Sequence, residues 1–209
     1  MEIHDISRAL TNDLAPWPGD TPFRFELKWK ISEGASVNVG AVEMGVHNGT
    51  HADAAFHFDP KGETIERAPL DAYIGKAVVV DCKNVAPSIN LSDLQRWENA
   101  LRDAPRLLLK TGAWPDSEIF PKEIPTISSD VPQWLQARGV KLLGLDVPSV
   151  DAIDSKDLPN HRALAAAGIA IVESLDLSRV EAGGYNFAAL PLKIAGGDAA
   201  PVRAILWRD

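Results

Sequence analysis

Cysteine is nearly missing from this 209-residue chain: Cys82 stands alone, so no internal disulfide can form and the fold has to rest on packing. Such usage fits a reducing compartment. Basic side chains are in the minority, 21 against 29 acidic ones. The net charge of −8 lacks the broad positive field that holds a phosphate backbone, so no nucleic acid partner is expected. Long apolar runs are missing as well. The longest small or apolar stretch, Leu164 to Val172, is interrupted by Gly168 and falls far short of the roughly 20 residues that cross a bilayer, so no membrane partner is expected. Residues 1–13 have neither a basic start nor an apolar stretch, so no secretory leader is read there and the cytoplasm is the expected location. No period repeats along the chain, which sets solenoids and propellers aside. Three common catalytic devices are also lacking. Ser149 has no GxSxG elbow around it, the glycine pairs at 183–184 and 196–197 lack the Walker spacing and its lysine, and Asn48 after His47 breaks the helical HExxH pattern.

What is present is an ordinary globular composition, 45% apolar and 24% charged. A 22.6 kDa chain folded as one compact body exposes about 9,500 Å², and a single domain over 1–209 is expected. Phe23, Phe25, Leu27, Trp29 and Ile31 alternate with mostly polar neighbours, the period of a strand with one face buried. A second alternation through Val37, Val39 and Ala41 changes parity to Val42, Met44 and Val46, which predicts a bulge near Gly40 to Val42. Short apolar runs at 77–81, 106–110, 140–146, 169–173 and 202–207 read as the strands of a central sheet. Ser92 with Gln95 reads as a capping box opening a helix over 93–102; further helices are predicted over 131–138 and 160–167, each followed by a glycine stop. Helices interleaved with strands predict an α/β fold, a mixed β-sheet core with helices packed against it. Cys82, after the run at 77–80, reads as a small buried hydrophobe rather than a reactive thiol.

The chain has five histidines, and His47, His51 and His57 crowd into eleven residues with Asp53 among them. A lone histidine is ordinarily a surface or hydrogen-bonded loop residue, but imidazole and carboxylate together are the usual nitrogen and oxygen ligands of zinc. Three protein ligands with one open position make a catalytic site. His47, His51 and Asp53 fit that count, and the Asn48, Gly49, Thr50 insert places them on a loop leaving a strand that ends near Val46. Glu173, at the end of an apolar run, reads either as a solvated strand end or as a carboxylate presented into a cleft at the sheet edge. With the histidine cluster beside it the second reading gains. His47, His51 and Asp53 can then hold one ion while Asp53, His161 and Glu173 hold another. Two dications about 3.5 to 4 Å apart activate a shared water and polarise a carbonyl. Asp146 and Asp151 lie in a proline and serine turn, where carboxylates cap backbone amides, and a structural role is expected for both.

The stretch from His47 through Gly49, Thr50, His51 and Asp53 to His57 resembles the histidine-rich motif of the cyclase-type metal-dependent hydrolases. The turn Pro16, Trp17, Pro18, Gly19, Asp20 and the segment Gly144, Asp146, Pro148, Ser149, Asp151 are similar to two further motifs of that family, and the likeness runs from about residue 3 to 207. Ala54 or Ala55 stands where the family places a proline, which removes no ligand. Trp17 and the overall length are most like the arylformamidase members. The resemblance implies hydrolysis of N-formyl-L-kynurenine, an aryl formamide, to L-kynurenine and formate. It further implies zinc, two ions per subunit, held by His47, His51, Asp53, His161 and Glu173, with proton transfer by His57, a substrate contact at Trp17, and a homodimer. Two other functions stay open at this point. One is the opening of a cyclic amide such as isatin on the same metals; the other is a non-catalytic binding protein whose metal only stabilises the fold.

Overall fold

The computed structural model describes residues 2–83, 85 and 87–208, so Met1 and Asp209 at the two ends of the expected domain lie outside the described residues. In chain order the strands are β1 (Glu2–Asp5), β2 (Arg24–Trp29), β3 (Val39–Glu43), β4 (His51–Asp53), β5 (Ile74–Asp81), β6 (Ser88–Ile89), β7 (Arg106–Lys110), β8 (Thr126–Ile127), β9 (Leu142–Leu145), β10 (Ala170–Glu173), β11 (Gly183–Ala188), β12 (Ala199–Pro201) and β13 (Ile205–Arg208). The helices are α1 (Leu91–Leu94), α2 (Glu98–Asp103), α3 (Val131–Gln136) and α4 (Pro159–Ala166). None is long and apolar enough to cross a membrane.

Nine strands make one mixed sheet in the order β1-β13-β11-β5-β7-β9-β10-β4-β12. Strands β5, β7, β9 and β10 run parallel, and antiparallel strands extend the sheet on both sides. Parallel strands covered on both faces read as continuous apolar runs, and the Leu107, Leu108, Leu109 run of β7 is fully buried for that reason. Alternate residues serve different layers. Val78, Val80, Leu107, Leu109, Leu143 and Leu145 pack with Leu94 and Leu101, Trp134 and Leu135, and Leu164 from the helical segments, whereas Ala77, Val79, Leu108, Leu142 and Val172 pack into a second core with Phe187 and Leu206 of the antiparallel strands. Gly144 lets these layers close: a Cβ there would lie 2.5 Å from Leu108 Cδ2 and 2.9 Å from Leu175 Cδ1. The α/β fold with a mixed sheet is thus the observed one.

Several local expectations need correcting. The helix expected over 93–102 is broken: α1, a short 3-10 turn over Gln95–Trp97 and α2 take its place, and the capping carboxylate is Asp93, accepting from the Asn90 amide at 2.8 Å. The strand expected to end near Val46 stops at Glu43, and His51–Asp53, expected on a loop, form β4 inside the sheet. The bulge falls on the other strand. Leu27 pairs with Gly40 and Trp29 with Val39, so the extra residue is Lys28 of β2. The last strand is displaced to Ile205–Arg208, and β1, β4, β11 and β12 are strands that the apolar pattern does not signal. Finally, the buried face expected on β2 is absent within one chain, since every residue of the strand is exposed.

Candidate metal centre and active site

The register of β4 assembles the site. His51 and Asp53 point to the same side of the sheet because side chains alternate, while Ala52 between them enters the core with Val172 and Ala200. Antiparallel pairing sets His51 directly opposite Glu173 of β10, which brings the Glu173 carboxylate to the same face. Gly49, at φ +66°, turns the chain into the strand, and its carbonyl lies 2.9 Å from His51 Nδ1. That contact keeps a proton on Nδ1 and leaves Nε2 facing the carboxylates, as the nitrogen whose proton a cation would displace. Thr50 anchors the turn, its hydroxyl donating to the Ser174 carbonyl at 2.7 Å and accepting from the Arg8 amide at 2.8 Å.

His161 arrives from the first turn of α4. Asp151 accepts from the Asn160 and His161 amides at 3.0 and 3.1 Å, the structural role expected of it. It also takes the His161 ring, Nδ1 to Oδ2 at 2.7 Å, so that Nε2 is presented to the site. A carboxylate behind a ligand-type histidine fixes its tautomer and orientation. Asp146 behaves as expected throughout, accepting from the Thr111 and Gly112 amides.

All five side chains named from the sequence as ligands converge. His47 Nδ1 lies 3.2 Å and His51 Nε2 3.4 Å from Asp53 Oδ1, and His161 Nε2 lies 3.4 Å from Asp53 Oδ2 and 3.4 Å from Glu173 Oε1. Two triads result, His47 with His51 and Asp53, and Asp53 with His161 and Glu173. His51 Nε2 and both Asp53 oxygens are buried without a hydrogen-bond partner. Buried polar atoms left so are costly. Ligands about 2.0 to 2.2 Å from a tetrahedral ion stand about 3.3 to 3.6 Å apart, close to the 3.2 to 3.4 Å between histidine nitrogens and carboxylate oxygens here, so the donors fit a zinc-like cation.

The electrostatics agree. Burial opposes a charge on His51, but Asp53 and Glu173 outweigh it and push its pKa up to about 10. Burial likewise opposes a charge on His161, and Asp151, Asp53 and Glu173 push it up to about 12. Burial would raise Asp53, yet the three histidines hold it well below the usual carboxylate range. The site is therefore built for positive charge. Cys82 lies elsewhere, its thiol pushed up to about 12 chiefly by burial, and is structural as expected.

A cavity of about 420 Å³ opens over the triads. Trp17, Trp114 and Phe120 wall it, with Phe120 edge-on to both tryptophans at ring distances of 5.2 and 5.9 Å, and His57 also lines it. Burial pushes the His57 pKa down, with Asp53 opposing and His47 adding to the fall, so its ring is neutral at pH 7. Sequence reasoning missed Trp114, Phe120 and Asp198. The last lies 2.9 Å from His47 Nε2 and 3.3 Å from His57 Nδ1. A lone carboxylate after a glycine pair gives no spacing signal, and the two aromatics lie in an irregular segment whose place over the site is set by the fold.

Comparison with known proteins accords with this geometry. Residues 4–152 match the family model described as a putative cyclase. A kynurenine formamidase of Geobacillus thermodenitrificans is 44% identical over 97% of this chain and 95% of its own length. A solved structure described as a potential metal-dependent hydrolase with cyclase activity superposes with a TM-score of 0.83 at 26% identity, covering 100% of this chain and 98% of its own. Isatin hydrolase A of Labrenzia aggregata shares the fold at a TM-score of 0.81 and 24% identity, over 98% of this chain and 93% of its own. The chain belongs to the cyclase family and, within it, to the kynurenine formamidase group.

Proposed function

We propose that this amide hydrolase cleaves N-formyl-L-kynurenine to L-kynurenine and formate at a binuclear zinc site. The observation that carries the reading is the pair of triads that share Asp53 and present His47, His51, His161 and Glu173 to an aromatic-walled cavity. The substrate is drawn from the likeness to kynurenine formamidases along nearly the whole chain. Zinc ions held by His47, His51 and Asp53 and by Asp53, His161 and Glu173 would supply an activated water and Lewis-acid polarisation of the formyl oxygen.

The chain's own residues do the rest. Trp17 offers its face to the substrate's aryl ring, where an aromatic pair contributes about 0.5 to 1.5 kcal/mol beyond area burial. His57, neutral at pH 7, accepts a proton from the attacking water and returns it to the arylamine nitrogen as the C–N bond breaks. The new C–O bond gives formic acid, which loses its remaining acidic proton to solvent and leaves as formate. With His57 Nδ1 facing Asp198, Nε2 is the nitrogen that exchanges this proton. No protein nucleophile is needed.

Formate release from N-formyl-L-kynurenine tests the assignment, with an isatin-like ring assayed in parallel. Turnover of the ring alone favours the cyclic-amide reading. A fold lost on chelation, read by circular dichroism, favours the metal-stabilised binding protein. Trp17→Ala is expected to raise KM several-fold with little change in kcat, and an unchanged KM removes Trp17 from the aryl site.

The active form we propose is a homodimer. Strands β2 and β3 form a separate hairpin on which Phe25, Leu27, Trp29, Val39 and Val42 are exposed, Trp29 at 60%. The chain exposes 10994 Å², against the roughly 9,500 Å² of a compact monomer of this mass, and an apolar projection of this kind suits burial on a second copy. Trp29→Glu is expected to shift the protein from dimer to monomer in sedimentation velocity; a monomeric wild type refutes the arrangement. We place the reaction in the cytoplasm, where a free thiol such as Cys82 stays reduced.

A further inference from the structure

Asp198 belongs to none of the groups that the sequence singled out, yet its Oδ2 lies between two histidines of the site. His47 Nε2 is 2.9 Å from that oxygen and His57 Nδ1 is 3.3 Å from it. The two rings lie 4.2 Å apart, centroid to centroid. Each histidine keeps its other nitrogen free for a second role, since His47 Nδ1 faces Asp53 at 3.2 Å and His57 lines the cavity. The backbone around Asp198 is fastened from both sides. Its carbonyl accepts from the Ala54 amide at 2.9 Å, the preceding Gly197 carbonyl accepts from the Ile65 amide at 2.9 Å, and Ala199 pairs with Asp53 across β12 and β4. The pairing that sets Asp53 in the site therefore sets Asp198 as well.

A histidine can present an unprotonated nitrogen to a cation or a substrate only if its proton sits on the other nitrogen, and a fixed acceptor there selects that tautomer. We infer that Asp198 is a positioning residue: one carboxylate oxygen accepts from His47 Nε2–H and from His57 Nδ1–H, directing His47 Nδ1 at the metal and His57 Nε2 at the substrate. It thereby ties metal ligation and proton transfer to one acceptor. The inference rests on the roles given above to His47 and His57.

The test uses full-length protein with Asp198→Ala and Asp198→Asn, read in three ways. Ring ¹⁵N NMR, with His57→Gln and His47→Gln assigning the signals, is expected to find His57 as the Nδ1–H tautomer in the wild type and to lose that preference in Asp198→Ala. Chelator competition is expected to show zinc held about 10- to 100-fold more weakly by Asp198→Ala. At saturating zinc, its kcat is expected to fall about 10- to 100-fold with KM within twofold. Asp198→Asn, whose amide oxygen can accept one of the two bonds, should lie between, and it carries the test if the alanine variant does not fold. An unchanged tautomer, or an unchanged kcat at full zinc occupancy, overturns the inference. So does a third zinc equivalent in the wild type that vanishes with Asp198, because the carboxylate would then be a ligand; His47, His57 and Asp198 are close enough to hold an ion themselves. If the wild type releases no formate, the proposed reaction fails, while the tautomer and zinc measurements still decide the role of Asp198.

Discussion

Asp53→Ala is expected to strip the chain of both zinc equivalents and to lower formamide hydrolysis by about 10⁴-fold or more. Asp53 is the one side chain common to both triads, and each of its oxygens faces a different set of histidines. Coordination to zinc lowers the pKa of water from 15.7 to about 7, so forfeiting even half of that advantage in hydroxide supply costs about 10⁴-fold. His51→Ala and His161→Ala are each expected to remove one equivalent, so metal analysis separates the shared ligand from the unshared ones. Two equivalents of zinc retained in Asp53→Ala would overturn the shared-ligand arrangement.

The same site predicts how zinc binding depends on pH. His51 and His161, with pKa values raised to about 10 and about 12, are protonated at neutral pH while no cation displaces their protons. Both must deprotonate to ligate. Burial opposes a charge on His47 too, but Asp53 and Asp198 outweigh it and raise its pKa, so it adds a further share. Full loading at pH 7 is therefore expected to release at least two protons per chain and affinity to rise with pH. Calorimetry in buffers of different ionisation enthalpy counts them. The contribution of these groups to the stability of the zinc-stripped chain has the opposite sense. Their folded pKa values exceed the unfolded 6.5, so it is complete below about pH 6.5 and is lost as pH rises through 10 and 12.

His57→Ala is expected to keep its zinc and lose turnover, with kcat falling by about 10²- to 10⁴-fold, the usual worth of a placed general acid and base. None of the ligand contacts around Asp53 passes through His57; its nearest polar partner is Asp198. The anilide nitrogen is a poor leaving group unless protonated, so the loss should be smaller for formamides of more acidic arylamines. Equal zinc loss in His57→Ala and His51→Ala would reject the division between proton carrier and ligand.

The sequence by itself picked out the candidate ligands and proton carrier, because imidazoles and carboxylates crowded at His47, His51, Asp53 and His57 are legible without a fold. It also determined the central strands, whose apolar runs at 77–81 and 106–110 reappear in β5 and β7. It placed β4 wrongly, on a loop. A strand of three residues carrying two ligands has no hydrophobic period of its own, and its pairing is supplied by β10 and β12, which lie far along the chain. Alternation correctly marked Phe25, Leu27 and Trp29 as strand, but not what they pack against, because period reports only that one face is apolar. Tertiary structure alone decided that Glu173 faces His51, that Asp151 turns His161 toward the site and that Asp198 lies between His47 and His57. Those contacts join residues distant in sequence. They depend on strand register and on the entry angle of α4, quantities that local residue patterns do not encode.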